Sequence, residues 1–565
     1  MSFPEATWEK WRAQVERDLA GASFDKQLVQ MTLEGLAVAP LHLEEPSGAR
    51  DRETRGRGFQ ICVRADQTTG LEGIVADVQA GAEAVWVPAG EELGTILAHL
   101  DGLGGRLIVD PVGSSIVETI EGLLVTPRAE AAPGFVVQFD PLSCRVAGRL
   151  DDAGLDREMA ALAEVVNEVD ERAPGSTSVV VSTLSHHDAG ADAADELAIA
   201  LSTGAAYLEA LVGRGVSLAR AARQITLQIS VGRDTFLELC KLRALRICWS
   251  KLVVAAGLAA PPVAQVHAVC SRRTLTIRDP WVNMLRTTTQ MFAAILGGAD
   301  LITPTAFDEA SGPSGELGRR VARNTGLVLR EESHLGRVLD PAGGSYFFET
   351  LTDALAREAW ARFQTMERNG GIAAQLTDGR LRARLEATWQ TRLEALAKRK
   401  TPVLGVSEFA NLDETLPRSA GVGPNLAPGS ASLPVHRDAE AFEALRLAAD
   451  ARLPMAVLST LGPLSESRPR VGFAAGFFAA GGIRTRESEA LDAAPLVCLC
   501  GSDDRYAAEG VERARALKLA GAQRVLLAGR PGALEPALRE AGVDGFLFAG
   551  CDVLAILQDL LGTTP

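Results

Sequence analysis

The stretch RQITLQISV, residues 223–231, decides the fold of this chain. In an extended segment, side chains alternate between two faces, and the polar set here is Gln224, Thr226, Gln228 and Ser230. A strand of a closed β/α barrel packs its outer face under helices, so the aliphatic face must point outward. The stretch therefore predicts a barrel strand with a polar inner face. That face would surround either a hydrophilic ligand along the barrel axis or a hydrogen-bonded core without a ligand.

Seven more short apolar runs alternate with helical patterns on both sides of this stretch. All eight runs span 58–66, 82–88, 105–111, 134–141, 177–183, 223–231, 262–269 and 298–305. Strands that alternate with helices indicate a parallel sheet. Eight units in about 250 residues favour a closed eight-stranded β/α (TIM) barrel. A doubly wound open sheet is the alternative.

The alternation restarts on a smaller scale near the C-terminus. Five strand-like runs with intervening helices predict a flavodoxin-like doubly wound α/β domain over 439–565. A stretch rich in Pro, Gly and Ser predicts a linker over 406–438, after a barrel with a helical extension at 51–405. Residues 1–50 are expected to form a helix and an extended arm that contacts a partner. Trp8 and Trp11 share one helix face there, and docking onto the chain itself is the alternative.

Composition excludes several classes of protein. The net charge of −15, with both signs interspersed, argues against a nucleic-acid-binding surface. The chain has no uninterrupted apolar run long enough to suggest a membrane span, and its start resembles a charged helix rather than a signal peptide. The eight cysteines form no Cys-x-x-Cys motif and are expected to be reduced thiols. We therefore expect a cytoplasmic protein.

His186 and His187 stand side by side before Asp188, which raises the question of a catalytic or metal-binding cluster. Adjacent residues of an extended segment point to opposite faces, and a metal needs three or four ligands. We therefore interpret the pair as part of a loop, with Asp188 at or near the N-cap of the following helix. The sequence predicts no metal ligands, no catalytic residues and no cofactor-binding residues in this chain.

Two consecutive stretches carry a specific resemblance: RDPWVNMLRTTTQMFAAILGGADLITPTAFDEA, 278–310, and the segment from RRVARNTG to YFFETLT, 319–352. They are similar to the methylmalonyl-CoA mutase family, as is the arm QMTLEGLAVAPL, 30–41. The resemblance implies a barrel that binds an acyl-CoA along its axis and a C-terminal domain that presents adenosylcobalamin for a radical rearrangement. Some members are heterodimers of a large active subunit and a smaller inactive one.

The sequence departs from the family where cobalamin would bind. The family has Asp-x-His-x-x-Gly after the first strand of the C-terminal domain, where the His coordinates cobalt. The corresponding loop, 458–469, reads LSTLGPLSESRP and contains neither His nor Asp. The later family elements Ser-x-Leu and Gly-Gly correspond to Cys500-Gly501-Ser502 and Ala528-Gly529-Arg530. Arg530 would place a long side chain where a close backbone approach is needed.

The barrel departs from the family as well. Active members carry Tyr-His at the end of the fifth strand, and Leu184 and Ser185 stand at those positions. Thr303 replaces an active-site His of the eighth strand. Some lining remains: Gln138 matches a substrate-contacting Gln with Asp140 two residues on, and His267 matches a seventh-strand His.

The resemblance together with these departures predicts a non-catalytic subunit that stabilises a large catalytic mutase subunit in a heterodimer. The partner, and not this chain, would bind adenosylcobalamin and the acyl-CoA, and the complex would interconvert (R)-methylmalonyl-CoA and succinyl-CoA. Two alternatives stay open. One is an active acyl-CoA mutase with a repurposed barrel site. The other is a regulatory scaffold for a cobalamin enzyme.

Overall fold

A computed structural model describes residues 6–43, 58–65, 69–90, 92–111, 115–127, 133–414, 432–452, 454–492 and 494–563. Its largest sheet has eight parallel strands in the order β6-β5-β4-β3-β10-β9-β8-β7. The strands are β3 (Gln60–Arg64), β4 (Ala84–Pro88), β5 (Arg106–Asp110), β6 (Val136–Val137), β7 (Val179–Ser182), β8 (Ile225–Val231), β9 (Gln265–Cys270) and β10 (Leu301–Thr303). All eight predicted strands are present.

The sheet closes on itself between β6 and β7. The Val137 amide donates to the Thr177 carbonyl at 2.9 Å, and the Thr177 amide donates to the Phe135 carbonyl at 3.0 Å. A doubly wound open sheet would leave both edges unpaired, so these hydrogen bonds show that the sheet is a closed barrel. The β/α barrel predicted from the sequence is confirmed.

Helices surround the barrel and bury its aliphatic outer face. Leu227 and Ile229 of β8 belong to the large core under the helices, which explains the alternation in the opening stretch. The helices of this part are α3 (Leu71–Gln79), α4 (Leu93–Leu103), α5 (Ile116–Leu124), α6 (Pro141–Val146), α7 (Asp152–Arg172), α8 (Leu184–Asp188), α9 (Ala193–Val212), α10 (Leu218–Gln224), α11 (Thr235–Ala255), α12 (Val282–Leu296), α13 (Glu316–Glu331), α14 (Tyr346–Arg368), α15 (Gly371–Thr377) and α16 (Arg380–Ala397). Helix α14 packs against both α9 and α11.

A second parallel sheet follows, with the strand order β12-β11-β13-β14-β15. Its strands are β11 (Met455–Thr460), β12 (Arg484–Ser488), β13 (Leu496–Cys500), β14 (Arg524–Ala528) and β15 (Gly545–Leu547). Its helices are α17 (Glu440–Asp450), α18 (Leu464–Ala480), α19 (Asp503–Arg505), α20 (Val511–Leu519), α21 (Glu535–Glu540) and α22 (Val553–Leu561). This order is that of a flavodoxin-like domain, as predicted.

The N-terminal segment contains a helix without buried residues and a hairpin that packs on the barrel. Helix α1 (Trp8–Asp18) contains no buried residue, although Trp8 and Trp11 stack at 5.0 Å. After α2 (Phe24–Leu28), the chain forms a short hairpin of β1 (Gln30–Met31) and β2 (Ala37–Val38). The carboxylate of Glu34 accepts the Ala193 amide at 3.0 Å, so the hairpin packs on its own barrel.

The predicted linker over 406–438 is described at its two ends, and 415–431 lie outside the described residues. Val406 is buried in the core of the C-terminal sheet, and the amide of His436 donates to the Asp188 carbonyl at 2.9 Å. The amide of Ile277 donates to the Glu443 carboxylate at 2.6 Å. These contacts join the barrel to the first helix of the C-terminal part.

Candidate functional site

Polar side chains form a hydrogen-bonded belt inside the barrel. The hydroxyl of Ser182 donates to Gln228 Oε1 at 2.8 Å, and Gln228 Nε2 lies 3.1 Å from His267 Nδ1. His267 Nε2 in turn lies 2.7 Å from the Thr303 hydroxyl. The belt therefore runs across β7, β8, β9 and β10, and each group satisfies the next one. The polar face predicted for β8 does point inward.

The Trp86 ring closes the barrel beside this belt. It contacts His267 edge to face with ring centroids 5.6 Å apart, although β4 and β9 are not neighbouring strands. It belongs to a cluster of buried apolar side chains from seven strands: Cys62, Ala84, Ile108, Val136, Val180, Val269 and Leu301. The interior at this level is a packed, hydrogen-bonded core. Of the two interpretations of the polar face, this geometry favours the core without a ligand at this depth.

The packed interior keeps His267 neutral. Burial, together with the nearby charges of Arg106 and Arg64, lowers the pKa of His267 to about 3. The imidazole therefore accepts at one ring nitrogen and donates at the other. Because Gln228 Nε2 is a donor, Nδ1 accepts and the Nε2 proton goes to Thr303. Thr303, which replaces a family His, thus serves the hydrogen bonding of the core.

Gln138 and Asp140 have different surroundings. Gln138 is buried, and its amide nitrogen has no hydrogen-bond partner among the described residues. Asp140 caps α6 by accepting the Ser143 amide at 2.9 Å, and it also accepts the Tyr207 hydroxyl at 2.5 Å. Burial raises the pKa of Asp140. Asp140 therefore anchors the loop after β6 to α9, which is a structural role.

The segment with the two histidines is not a loop, and the interpretation of it as one is wrong. Leu184 to Asp188 form the short helix α8 directly after β7, and both histidines are buried. The N-cap of α9 is Asp192, whose carboxylate accepts the Asp195 amide at 2.8 Å, and not Asp188. The prediction placed the helix start too early, because the sequence DAGADAADEL, 188–197, offers acidic residues at 188 and 192 and α8 includes the first of them.

His187 belongs to a buried charged cluster at the carboxyl ends of β7 and β9. Its Nδ1 lies 2.7 Å from Glu196 Oε1, and its Nε2 lies 2.7 Å from the Ser271 hydroxyl. Lys241 Nζ lies 3.1 Å from the Glu196 carboxylate and 2.6 Å from that of Glu238. Burial, helped by the charge of Arg273, holds the pKa of His187 well below its ordinary value. We call Glu196, Lys241, Glu238 and His187 the Lys241 cluster.

A further ion pair extends from this cluster toward the C-terminal part. Arg273 donates to the His187 carbonyl, and its Nε lies 3.6 Å from the Asp438 carboxylate. Although burial alone would raise the pKa of Asp438, the guanidinium groups of Arg233 and Arg273 hold it below its ordinary value. Opposite charges meet along this series of contacts, which joins α9 and α11 to the loop after β9 and to Asp438. Among the described residues, no group of three or more His, Cys, Asp and Glu is arranged to hold a metal ion.

A cavity of about 310 Å³ lies at the carboxyl mouth of the barrel, above β3, β4, β5 and β10. Most of its wall is apolar, with Trp86 at its base and Pro304, Ala306 and Ala322 along its sides. The charged side chains that line it are Arg64, Asp110, Arg272, Glu309 and Arg319. The mouth is where ligands bind in β/α barrels, and its lining comes from segments that are far apart in the sequence.

The matching position in the C-terminal domain is the cleft beyond β11, β13 and β14. Tyr506 lies across it: the Gly501 amide donates to its hydroxyl oxygen at 2.9 Å, and the hydroxyl donates to the Ala528 carbonyl at 2.7 Å. The Arg505 side chain covers the loop after β11, since a Cβ at Gly462 would lie 2.5 Å from Arg505 Nε. Arg505 is held there by Glu466 at 2.9 Å.

The residues of this cleft do not fit a cobalamin. The chain has no histidine after His436, so the loop offers no imidazole for cobalt. Arg470 lies against Gly529, where a Cβ would be 2.8 Å from its guanidinium. The Arg530 guanidinium lies 4.8 Å over the Phe548 ring, just after β15. Arg470 and Tyr506 contact the backbone where the family has its Gly-Gly element.

Cys498 and Cys500 are buried reduced thiols, as are most of the eight cysteines. Burial raises the pKa of Cys498, which makes a thiolate unfavourable. Among the described residues, no helix is both long enough and apolar enough to span a membrane.

These features define a class: an α/β protein in which a closed β/α barrel is joined to a flavodoxin-like domain. The methylmalonyl-CoA mutase family model matches residues 130–425. A methylmalonyl-CoA mutase small subunit of Streptomyces virginiae is 36% identical over 99% of this chain and 97% of its own length. The chain belongs to the methylmalonyl-CoA mutase family.

Other relatives cover less of the chain. The methylmalonyl-CoA mutase small subunit of Propionibacterium freudenreichii subsp. shermanii is 37% identical over 72% of this chain and 67% of its own length. A methylmalonyl-CoA mutase of Escherichia coli is 30% identical over 44% of this chain and 35% of its own length. The relatives aligned over most of their length are thus named small subunits.

Proposed function

We propose that this chain is the non-catalytic small subunit of a heterodimeric, adenosylcobalamin-dependent methylmalonyl-CoA mutase. The complex interconverts (R)-methylmalonyl-CoA and succinyl-CoA in the cytoplasm. A large catalytic subunit holds adenosylcobalamin and the acyl-CoA, and this chain docks on it and stabilises it. The proposal rests on one observation: a mutase fold is complete here, while its chemical positions carry residues unable to do the chemistry.

Three positions in the barrel support this proposal. Leu184 packs against the apolar interior, where an active member has a Tyr at the radical site. Ser185 is too short to replace the His that would bond the substrate carbonyl, and Thr303 is committed to His267 at 2.7 Å. A radical rearrangement needs every group in place and water excluded. The loss of all three leaves no partial mechanism.

The C-terminal domain supports the same proposal. Arg505 and Tyr506 occupy the cleft with satisfied hydrogen bonds, so a cofactor would have to displace them. The domain keeps its packed sheet and its contacts to the barrel, such as the bond from Ile277 to Glu443. A domain that retains its fold after the loss of its ligand is consistent with a role in assembly.

Helix α1 is the element best suited to contact the partner. None of its residues is buried, yet Trp8 and Trp11 stack on one face. Aromatic side chains contribute strongly to binding energy when a partner covers them. The hairpin that follows is fixed to the barrel by Glu34, and the Trp11 ring contacts the buried Phe24 ring edge to face at 6.0 Å.

The test is to purify the chain with and without a tagged large mutase subunit. We expect a one-to-one complex by native mass spectrometry, with turnover in the complex and none in this chain alone. A Trp8→Ser/Trp11→Ser double variant should lower the yield of complex, whereas Glu16→Gln, a change on the exposed face of the same helix, should not. Turnover by the isolated chain would favour an active mutase. A chain that increases activity without forming a stoichiometric complex would favour a regulatory scaffold.

A further inference from the structure

The N-terminal hairpin is held on the barrel through a buried acid at its tip. Of residues 30–38, only Glu34 is buried. Its Oε1 accepts the Ala193 amide at 3.0 Å, at the N-terminus of α9. Its Oε2 is buried as well and accepts no hydrogen bond among the described residues. An ionised carboxylate has room for about four hydrogen bonds, so a buried one with so few donors is poorly stabilised.

The charged groups around Glu34 come from three helices, α9, α14 and α16. Asp192 is the N-cap of α9, directly before the residue whose amide binds Glu34. Arg362 of α14 donates to the Asp192 carboxylate at 2.7 Å and to that of Asp195 at 2.8 Å. Toward Glu34, the same guanidinium donates to the backbone carbonyl at 3.3 Å. The other charged groups on α14 and α16 are Glu358, Arg384 and Arg392.

These surroundings favour the protonated form of Glu34. Burial and the Asp192 carboxylate raise the pKa of Glu34 above its ordinary value of 4.5. The Ala193 amide, the Glu34 amide and the Thr32 hydroxyl favour the anion, but they do not outweigh the first two causes. When the hairpin leaves the barrel, the carboxyl enters water and regains its ordinary pKa. Docking is therefore strongest below pH 4.5 and weakens as the pH rises through the raised pKa of the docked state.

We propose that Glu34 is a pH-dependent anchor, which holds the hairpin tightly on α9 when it is protonated and loosely when it is ionised beside Asp192. Helices α1 and α2 precede the hairpin in the chain, so the anchor sets how firmly the base of the N-terminal arm is held. The proposal concerns this arm alone and requires neither cobalamin nor a partner. It therefore stands or falls separately from the role of the chain as a subunit.

The test is hydrogen–deuterium exchange of the purified full-length chain at pH 5 and pH 8, corrected for the intrinsic pH dependence of amide exchange. The Ala193 amide reports docking directly, because it donates to Glu34 Oε1. We expect its protection to fall at least about threefold from pH 5 to pH 8. The Arg220 amide, which the Ser217 hydroxyl accepts at the start of α10, is the internal control and should not change. Protection of Ala193 that is unchanged or higher at pH 8 would overturn the proposal.

Glu34→Gln separates the charge from the contact. Its amide oxygen can still accept from Ala193, and the side chain carries no charge at any pH. We expect this variant to keep the wild-type protection of the Ala193 amide at pH 5 and to lose the fall toward pH 8. Glu16→Gln, on the exposed helix α1, is the matched control and should follow wild type. A fall in Glu34→Gln as large as in wild type would refute the role of Glu34, and the wild-type profile decides if the variant does not fold.

Discussion

Replacement of Lys241 by Met tests whether the Lys241 cluster holds the barrel helices together. Lys241 Nζ lies between two carboxylates, 3.1 Å from Glu196 and 2.6 Å from Glu238. Its side chain is 0% exposed, and those of the two glutamates are 2% and 9% exposed. The substitution keeps the length of the aliphatic stem and removes the charge, so packing is changed little.

The expected cost follows from the burial of the two carboxylates. Removing one partner of a buried ion pair leaves an uncompensated charge, which destabilises a protein by about 3–5 kcal/mol. Two carboxylates lose their cation here, although Glu196 keeps the bonds from His187 and Thr183. We therefore expect Lys241→Met to lower the free energy of unfolding by about 3–5 kcal/mol.

Urea unfolding followed by tryptophan fluorescence measures this change in the barrel part. All seven tryptophans lie between residues 8 and 389, so the signal does not report the C-terminal domain. The matched control is Lys398→Met, whose ion pair with Glu394 spans 3.5 Å at the surface. Such exposed pairs contribute about 0–1 kcal/mol, so the control should unfold almost like wild type.

A double variant separates the charge from the packing. Glu238→Gln combined with Lys241→Met removes one stranded carboxylate, so it should be less destabilised than Lys241→Met alone. A Lys241→Met protein within about 1 kcal/mol of wild type would refute the reasoning. A double variant at least as unstable as the single one would show that packing, and not charge, sets the cost.

Two further predictions concern single buried groups. Tyr506→Phe leaves the Gly501 amide and the Ala528 carbonyl without their hydrogen-bond partner. Calorimetry should therefore show a C-terminal domain destabilised by about 1–3 kcal/mol. An unchanged melting profile would contradict the role of Tyr506 in holding the cleft closed. His267, with its pKa lowered to about 3, should stay neutral from pH 7 to pH 4.5 in ¹³C-labelled histidine spectra. Because the unfolded chain takes up this proton near pH 6.5, His267 costs about 1.4 kcal/mol of stability for each pH unit below that value. The pKa values of buried His186 and His187 are lowered as well, so His267→Gln should reduce the total slope by this one share and not remove it. Titration of His267 near pH 6.5 would refute the prediction.

The fold was predictable because its signals are local and periodic. The alternation in β8 specifies which face points inward, and short apolar runs between helical patterns located the other seven barrel strands. The short helix α8 was missed because five residues carry too little periodicity to stand out between a strand and a long helix. Asp188 and Asp192 are equally good caps by residue type, and only the tertiary structure selects Asp192.

The sequence shows where the candidate site lacks a family residue, but it does not show which side chains occupy the space in its place. A loop without histidine is visible in the sequence at 458–469. That Tyr506 fills this cleft is not visible in the sequence, because its side chain reaches Gly501 and Ala528 from a different loop. The same holds for Arg64, whose guanidinium lies 4.5 Å over the Trp86 ring of the neighbouring strand. In the sequence it is simply an arginine at the end of an apolar run.

The central claim is that this chain assists a cobalamin enzyme without binding the cofactor. The most direct measurement is an absorption titration of the purified chain with adenosylcobalamin, with the large mutase subunit titrated in parallel. We expect no retained cobalamin after gel filtration of this chain alone, and retained cobalamin when the one-to-one complex is formed. A cobalamin spectrum that co-elutes with the isolated chain would contradict the account.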